Sequence, residues 1–321
     1  MISELLSPYC RWCESQSTTA ALRQIIANEL ALLDDSDYLV REVIGTGEFE
    51  WDFRCLDDGF LALVRPYLSQ SSGSLPLFQS ALQELGADTS ENRLACLLIE
   101  FGHYATLIND YYTFHPDLAG GAVDAKRTSL LTQLRYAGQY LSMYPRYLLV
   151  SDKFSLSDPQ QINLHEALAG SVVIQGASRG VALKWSFSAD RPKSRDHYLQ
   201  NCINTIHSYV VFPVVLAFIL ANVDRETISE IRVAIGYLAL AMKLSIEREL
   251  LGGLPSNLSD AARTTASLLS SSNHAGIDYD RVIDDCLSTL TQNLSRIGLL
   301  NEWGEGLALA LSKRTEGIPH A

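Results

Sequence analysis

The sequence predicts an all-α protein folded as a single large helical bundle. Segments that alternate polar and apolar residues with period two are almost absent. Apolar residues recur instead at helical spacing through long segments parted by short breaks rich in Gly, Pro, Ser and Asp. With 321 residues and 47% hydrophobic side chains, the chain can bury a large core.

The first helical segment, STTAALRQIIANELALL, opens on cap-forming hydroxyls and sets Leu22, Ile25, Ile26, Leu30 and Leu33 on one face. Further segments are expected at about 56–71, 76–86, 91–114, 126–150, 158–187, 195–222, 226–252, 258–272, 277–297 and 301–314. The breaks between them are short, so one domain over 1–321 is expected, with 1–50 as its N-terminal helical extension. The longest apolar run, YVVFPVVLAFILANV from Tyr209 to Val223, is shorter than the roughly 20 residues of a bilayer span and contains Pro213. It reads as a buried helix.

Lys+Arg 25 against Asp+Glu 37 give a formal charge of -12. A net basic surface that could grip a phosphate backbone is therefore missing, which argues against nucleic acid. The N-terminus MISELLSPYCRWCESQ has neither the basic region and apolar run nor the cleavage site of a secretory signal, so a cytoplasmic location is expected. Only Cys10 and Cys13 among the six cysteines form a C-x-x-C; a zinc site would want a second pair, so reduced cysteines are expected.

In the segment EFGHYATLINDYYTFHPD, Glu100 and His103 stand at i, i+3, and Asp110 follows on the same side of a helix. That is the E-x-x-H spacing of di-iron carboxylate bundles, which requires a second such pair on a facing helix. The residues three before the other histidines are Tyr112, Ile162, Ser194, Asn204, Ser271 and Gly317, none of them a carboxylate. Glu100 and His103 then read as scaffold residues.

The same segment resembles the trans-isoprenyl diphosphate synthases, the polyprenyl synthetase family. Their helix runs roughly E-x-x-H-x-A-S-L-I-H-D-D-x-x-D, and Glu100, His103, Ala105, Thr106, Leu107, Ile108 and Asp110 fall on it in order. LALVRPYL (61–68) is similar to G-K-R-x-R-P-x-L, KRTSL (126–130) to an Arg-rich phosphate loop, and AGQYL (137–141) to A-G-D-x-L. GVALKW (180–185) is similar to G-Q-x-x-D-L, and YLQNCINT (198–205) to Y-L-x-x-I-x-x-K-T. Residues 221–250 are similar to the helix pair ending in L-G-L-A-F-Q-x-x-D-D-x-x-D, and 279–297 suits the C-terminal helix. The resemblance spans about 50–315 and implies the isoprenoid-synthase fold: an all-α bundle around a central cavity.

In that family, two aspartate-rich motifs on facing helices hold Mg2+, which grips an allylic diphosphate. Two carboxylates on one helix face supply the hard oxygen ligands, and the metal neutralises the leaving diphosphate. Here the first motif reads Asp110, Tyr111, Phe114 and the second Ile246, Glu247, Leu250, one carboxylate each. Asp110 and Glu247 are thus the remaining metal candidates, and they fall short of a three-metal cluster. The acceptor grip is thinned as well: Ala62 and Leu63 replace cations, leaving Arg65, and Asn204 replaces the lysine of K-T. Ordinary chain elongation is not expected.

Two cations enter in exchange. Lys184 stands where the resemblance puts an aspartate and Lys243 where it puts a glutamine, so lysine–carboxylate pairs with Asp110 and Glu247 would replace metal bridges. The catalytic candidates are Asp110, Glu247, Lys184 and Lys243; an inert polar plug is the alternative. Arg65, Lys126 and Arg127 are candidates for holding phosphate, with Asn109, Tyr111, Phe114 and Ala105 along a prenyl pocket. Aromatic faces there could stabilise a carbocation or simply be core. Two functions follow: an enzyme performing cyclisation or prenyl transfer on a prenyl chain or allylic diphosphate, with a rebuilt site, or a non-catalytic partner of an active prenyl diphosphate synthase. The resemblance implies a hydrophobic prenyl ligand and a homodimer, or a heteromer with a related synthase.

Overall fold

The computed structural model describes residues 74–87, 95, 98–99, 102, 136, 139, 156–187, 194–251, 277–299, 301 and 303–308. Among them no strand occurs, and six helices carry the architecture: α1 Ser74–Glu84, α2 Asp158–Phe187, α3 Arg195–Thr205, α4 His207–Leu220, α5 Arg225–Leu251 and α6 Tyr279–Arg296. The chain divides into two compact units, one of residues 1–16, 73–92 and 154–321 and the other of 17–72 and 93–153. All six helices belong to the first. The expected helices before residue 74 and at 258–272 lie outside the described residues.

Helix α4 is the hub of that unit, packing against α1, α2, α3 and α5. Every side chain from Tyr209 to Leu220 is buried, as its unbroken apolar sequence requires. Pro213 lies inside it and has no N–H to offer the carbonyl of Tyr209 one turn earlier. The hydroxyl of Ser74, the first residue of α1, is buried and donates to that carbonyl at 2.8 Å. At the other end, the Gln160 amide donates to the carbonyls of Ile219 and Leu220 at 3.1 and 3.2 Å. Side chains of α1 and α2 therefore satisfy the backbone groups that α4 cannot pair by itself.

One helix is expected over 195–222, but the chain breaks at Ile206 into α3 and α4, inclined by 62°. No single described helix is long and apolar enough to cross a membrane. Helix ends follow local chemistry. Ser194 and Asp278 cap α3 and α6 by accepting from the backbone N–H three residues on, and Asp224 does the same for Thr227 at the start of α5. Gln160 reaches back to the Ser157 N–H at 3.1 Å, the return arm of a capping box. Gly86, Asn222 and Gly298 take positive φ just beyond α1, α4 and α6, each within a paired 6→1 and 5→2 hydrogen-bond closure.

Helix α5 packs on α6, whose apolar residues Val282, Ile283, Cys286, Leu287, Leu290 and Leu294 form one buried stripe. Asp284 and Asp285 are exposed in the middle of α6. Cys202 and Cys286 are free and buried.

Candidate functional site

Helices α3, α5 and α6 bring a charged cluster into the core. Lys243 and Glu247 stand one turn apart on α5, a spacing that puts both side chains on the same face. The Lys243 ammonium lies 3.0 Å from Glu247 Oε1, with side-chain exposures of only 8% and 3%. From α3, the Tyr198 hydroxyl donates to Glu247 Oε2. Both carboxylate oxygens are thus engaged, which is what a buried anion requires.

Cys202 is one turn beyond Tyr198 on α3 and also buried. Burial first, and the negative field of Glu247 second, push its thiol well above the ordinary range, while Lys243 and a hydrogen bond with Tyr198 pull the other way. Burial, then the charges of Cys202 and Glu247, hold the Tyr198 phenol far above the usual tyrosine range. The Tyr279 phenol, at the start of α6, is raised by burial and by Glu247, and a hydrogen bond with Tyr198 opposes the rise. At neutral pH Tyr198 therefore keeps its proton and serves as a donor, and Cys202 is a thiol, not a nucleophilic thiolate. One residue beyond Glu247, the Arg248 guanidinium pairs with Asp280 on α6.

Of the sequence candidates, the structure brings together Lys243 and Glu247. Lys184 lies on α2, with its side chain outside the described residues. Arg65, Ala105, Asn109, Asp110, Tyr111, Phe114, Lys126 and Arg127 lie outside them, as do Glu100 and His103. Tyr198 and Cys202 were not singled out from sequence. Their i, i+4 spacing places them on one face, but their meeting with Glu247 is a tertiary fact.

No protein-family model matches the sequence, and no curated protein sequence matches it significantly. Solved structures do match. An FPP/GFPP synthase from Zymomonas mobilis superposes with a TM-score of 0.61 at 15% identity, over 92% of this chain and 99% of that one. A decaprenyl diphosphate synthase from Rhodobacter capsulatus gives 0.58 at 13%, over 94% and 99%. A heterotetrameric geranyl pyrophosphate synthase from mint gives 0.55 at 13%, over 88% and 97%. The chain has the isoprenoid-synthase fold. At these identities the likeness is one of fold, and function must be argued from the site.

Within that fold, the donor set on α5 can be tested against magnesium. The ion demands near-octahedral oxygen ligands with free lone pairs. Glu247 gives one oxygen to an ammonium and the other to a phenol, and its i−4 neighbour is a cation. These residues do not fit a magnesium ion. Among the described residues no group of three or more His, Cys, Asp or Glu side chains gathers as a metal site would require.

Proposed function

We propose that this isoprenoid-synthase-fold chain is a non-catalytic partner of an active prenyl diphosphate synthase. The observation that carries this reading is the closure of Glu247: Lys243 and Tyr198 engage both its oxygens in a buried setting. A carboxylate so engaged has each oxygen already held by an ammonium or a phenol, and little solvent-facing surface for a metal–diphosphate complex or a substrate to reach. The thinned cationic residues, with Ala62, Leu63 and Asn204 at positions of a family diphosphate grip, support the same reading. So does the assembly of the mint geranyl pyrophosphate synthase, a heterotetramer with the same fold.

An enzyme acting on a prenyl chain or allylic diphosphate is the second reading. What favours it is the charge itself: a well-packed apolar pair at these positions would be as stable as a buried Lys–Glu pair or more so. In that reading Asp110, Lys184, Lys243 and Glu247 form the rebuilt site, Arg65, Lys126 and Arg127 hold the diphosphate, and Ala105, Asn109, Tyr111 and Phe114 line the prenyl pocket.

One experiment separates them. The purified chain is incubated with geranyl, farnesyl and geranylgeranyl diphosphates, with and without isopentenyl diphosphate and magnesium, and products are analysed. The same reactions are repeated with a catalytic synthase of the same genome added. The partner reading expects no product from the chain alone and, on mixing, a stable complex whose product length or rate differs from that of the synthase alone. Product from the chain alone that is lost in Glu247→Gln would overturn it in favour of the enzyme.

A further inference from the structure

A second polar cluster lies where α2 meets the first turn of α4. On α2, Ser171, Gln175 and Ser178 are buried to 1%, 7% and 5% exposure. Their i, i+4, i+7 spacing makes them one stripe on a buried helix face, where apolar residues would ordinarily stand. Facing them are His207 and Ser208, the first two residues of α4. The Ser208 hydroxyl donates to Gln175 Oε1 at 2.5 Å, and His207 Nδ1 lies 3.3 Å from Ser171 Oγ.

Two features of this cluster are unspent. The Gln175 amide nitrogen is buried without a hydrogen-bond partner among the described residues, a costly state for an amide whose other end is fixed at the helix terminus. The N-cap of α4, Ile206, offers no side-chain acceptor to the first turn; its carbonyl takes the N–H groups of Tyr209 and Val210, which leaves those of His207 and Ser208 without an acceptor inside α4. The local field is positive. The α4 N-terminus carries the positive end of the helix dipole, and Arg232 on α5 is the charged group that acts on His207, whose burial keeps it neutral. His207 and Ser208 are only half-buried, so the end of α4 that meets the stripe borders solvent.

We propose that the first turn of α4 and the polar stripe of α2 form a binding site for a small oxyanion, a carboxylate or a phosphate. The Gln175 Nε2–H, the Ser171 hydroxyl and the backbone N–H groups of His207 and Ser208 are its donors, and Arg232 and the helix dipole supply the balancing charge. The site shares no residue with the cluster around Glu247 and holds whichever reading of α5 is right. A bound oxyanion would take up the unspent donors together, which an apolar ligand could not do.

The test follows the His207 ring and Gln175 side-chain amide signals by NMR in the full-length chain at pH 7 and fixed ionic strength. Sodium phosphate, sodium acetate and, as a neutral control, glycerol are titrated in turn. The expected result is a saturable shift of both signals with one of the anions, phosphate or acetate telling which oxyanion is taken, and none with glycerol. Binding should weaken at least tenfold in Gln175→Met and in Ser208→Ala, and be unchanged in the surface variant Glu230→Gln. Absence of saturable shifts with either anion in the wild-type chain, or equal binding in the folded Gln175→Met and Ser208→Ala variants, overturns the proposal and leaves an ordered water as the partner of Gln175.

Discussion

Lys243 and Glu247 neutralise each other across one turn of α5, 3.0 Å apart and almost wholly buried. The same two side chains would be a charge defect if either stood alone. Removing one partner strands the other in the core, and losses of about 3–5 kcal/mol are expected for Lys243→Met or Glu247→Gln in a Lys-bearing background. The double variant Lys243→Met with Glu247→Gln should recover most of that loss, because the neutral amide still accepts from Tyr198. Urea denaturation of the four proteins forms a double-mutant cycle. Additive losses would show that the pair is not coupled as the geometry implies.

Tyr198 ties α3 to this pair by donating to the carboxylate. Hydrogen bonds to charged groups are worth about 1.5–3 kcal/mol, so Tyr198→Phe should cost in that range. In the Glu247→Gln background the cost should fall towards about 1 kcal/mol, the value of a neutral bond. Equal losses in both backgrounds would mean that the phenol contributes through packing alone.

Ser74 and Pro213 are linked in the same way by a single carbonyl. Pro213 withholds the N–H that would pair with Tyr209, and Ser74 replaces it at 2.8 Å. Ser74→Ala should therefore cost about 1–3 kcal/mol by orphaning a buried acceptor. In a Pro213→Ala background, where the helix can supply its own N–H, the same change should cost much less. Thermal unfolding of both pairs reads the difference directly.

How much of this was legible before the structure depends on whether the signal is local. The extents of α2, α5 and α6 follow from helical spacing and from caps such as Ser194 and Asp278, which lie beside the residues they serve. The pairing of Lys243 with Glu247 is legible for the same reason, since i, i+4 on a helix brings side chains together. The break at Ile206 was not legible: the residues 195–220 keep helical character through it, and its 62° bend is fixed by the packing of α3 and α4 on their neighbours. Tyr198 beside Glu247, Ser74 at the Tyr209 carbonyl and Gln175 against Ser208 join residues 33 to 135 positions apart. No periodicity encodes such partners.

His207 gives the protein a pH dependence whose sign is fixed. Burial first, and Arg232 second, push its imidazole from 6.5 down to about 4. Between those values the unfolded chain binds a proton that the folded chain does not. The stabilisation is complete above pH 6.5, declines as pH falls, and is exhausted near pH 4. The loss contributed by this residue is at most about 3 kcal/mol. Urea midpoints of wild type and His207→Gln from pH 7.5 to 4 should diverge across that window, with the wild type losing more. Parallel curves would show that His207 titrates alike in both states.

Gly304 opens the last described helical turn beneath α6. A Cβ at this position would lie 2.4 Å from the carbonyl oxygen of Leu299 and 3.1 Å from the Leu294 side chain. The first contact is with backbone, which cannot step aside as a side-chain end could. The nearby geometry is also pinned: the Asn301 side-chain oxygen accepts from the N–H groups of Trp303 and Gly304 at 3.1 and 3.3 Å, and the Trp303 indole donates to Ser80 on α1 at 3.1 Å. Moving residue 304 away to make room would pull Trp303 from its pocket against α1. Gly304→Ala should therefore destabilise by about 1–3 kcal/mol, the usual cost of overpacking, although alanine is the better helix former by about 1 kcal/mol. Trp303 fluorescence during denaturation checks this through both the midpoint and the native-state signal, and a stabilised Gly304→Ala protein would mean that the 299–304 turn yields where the geometry says it cannot.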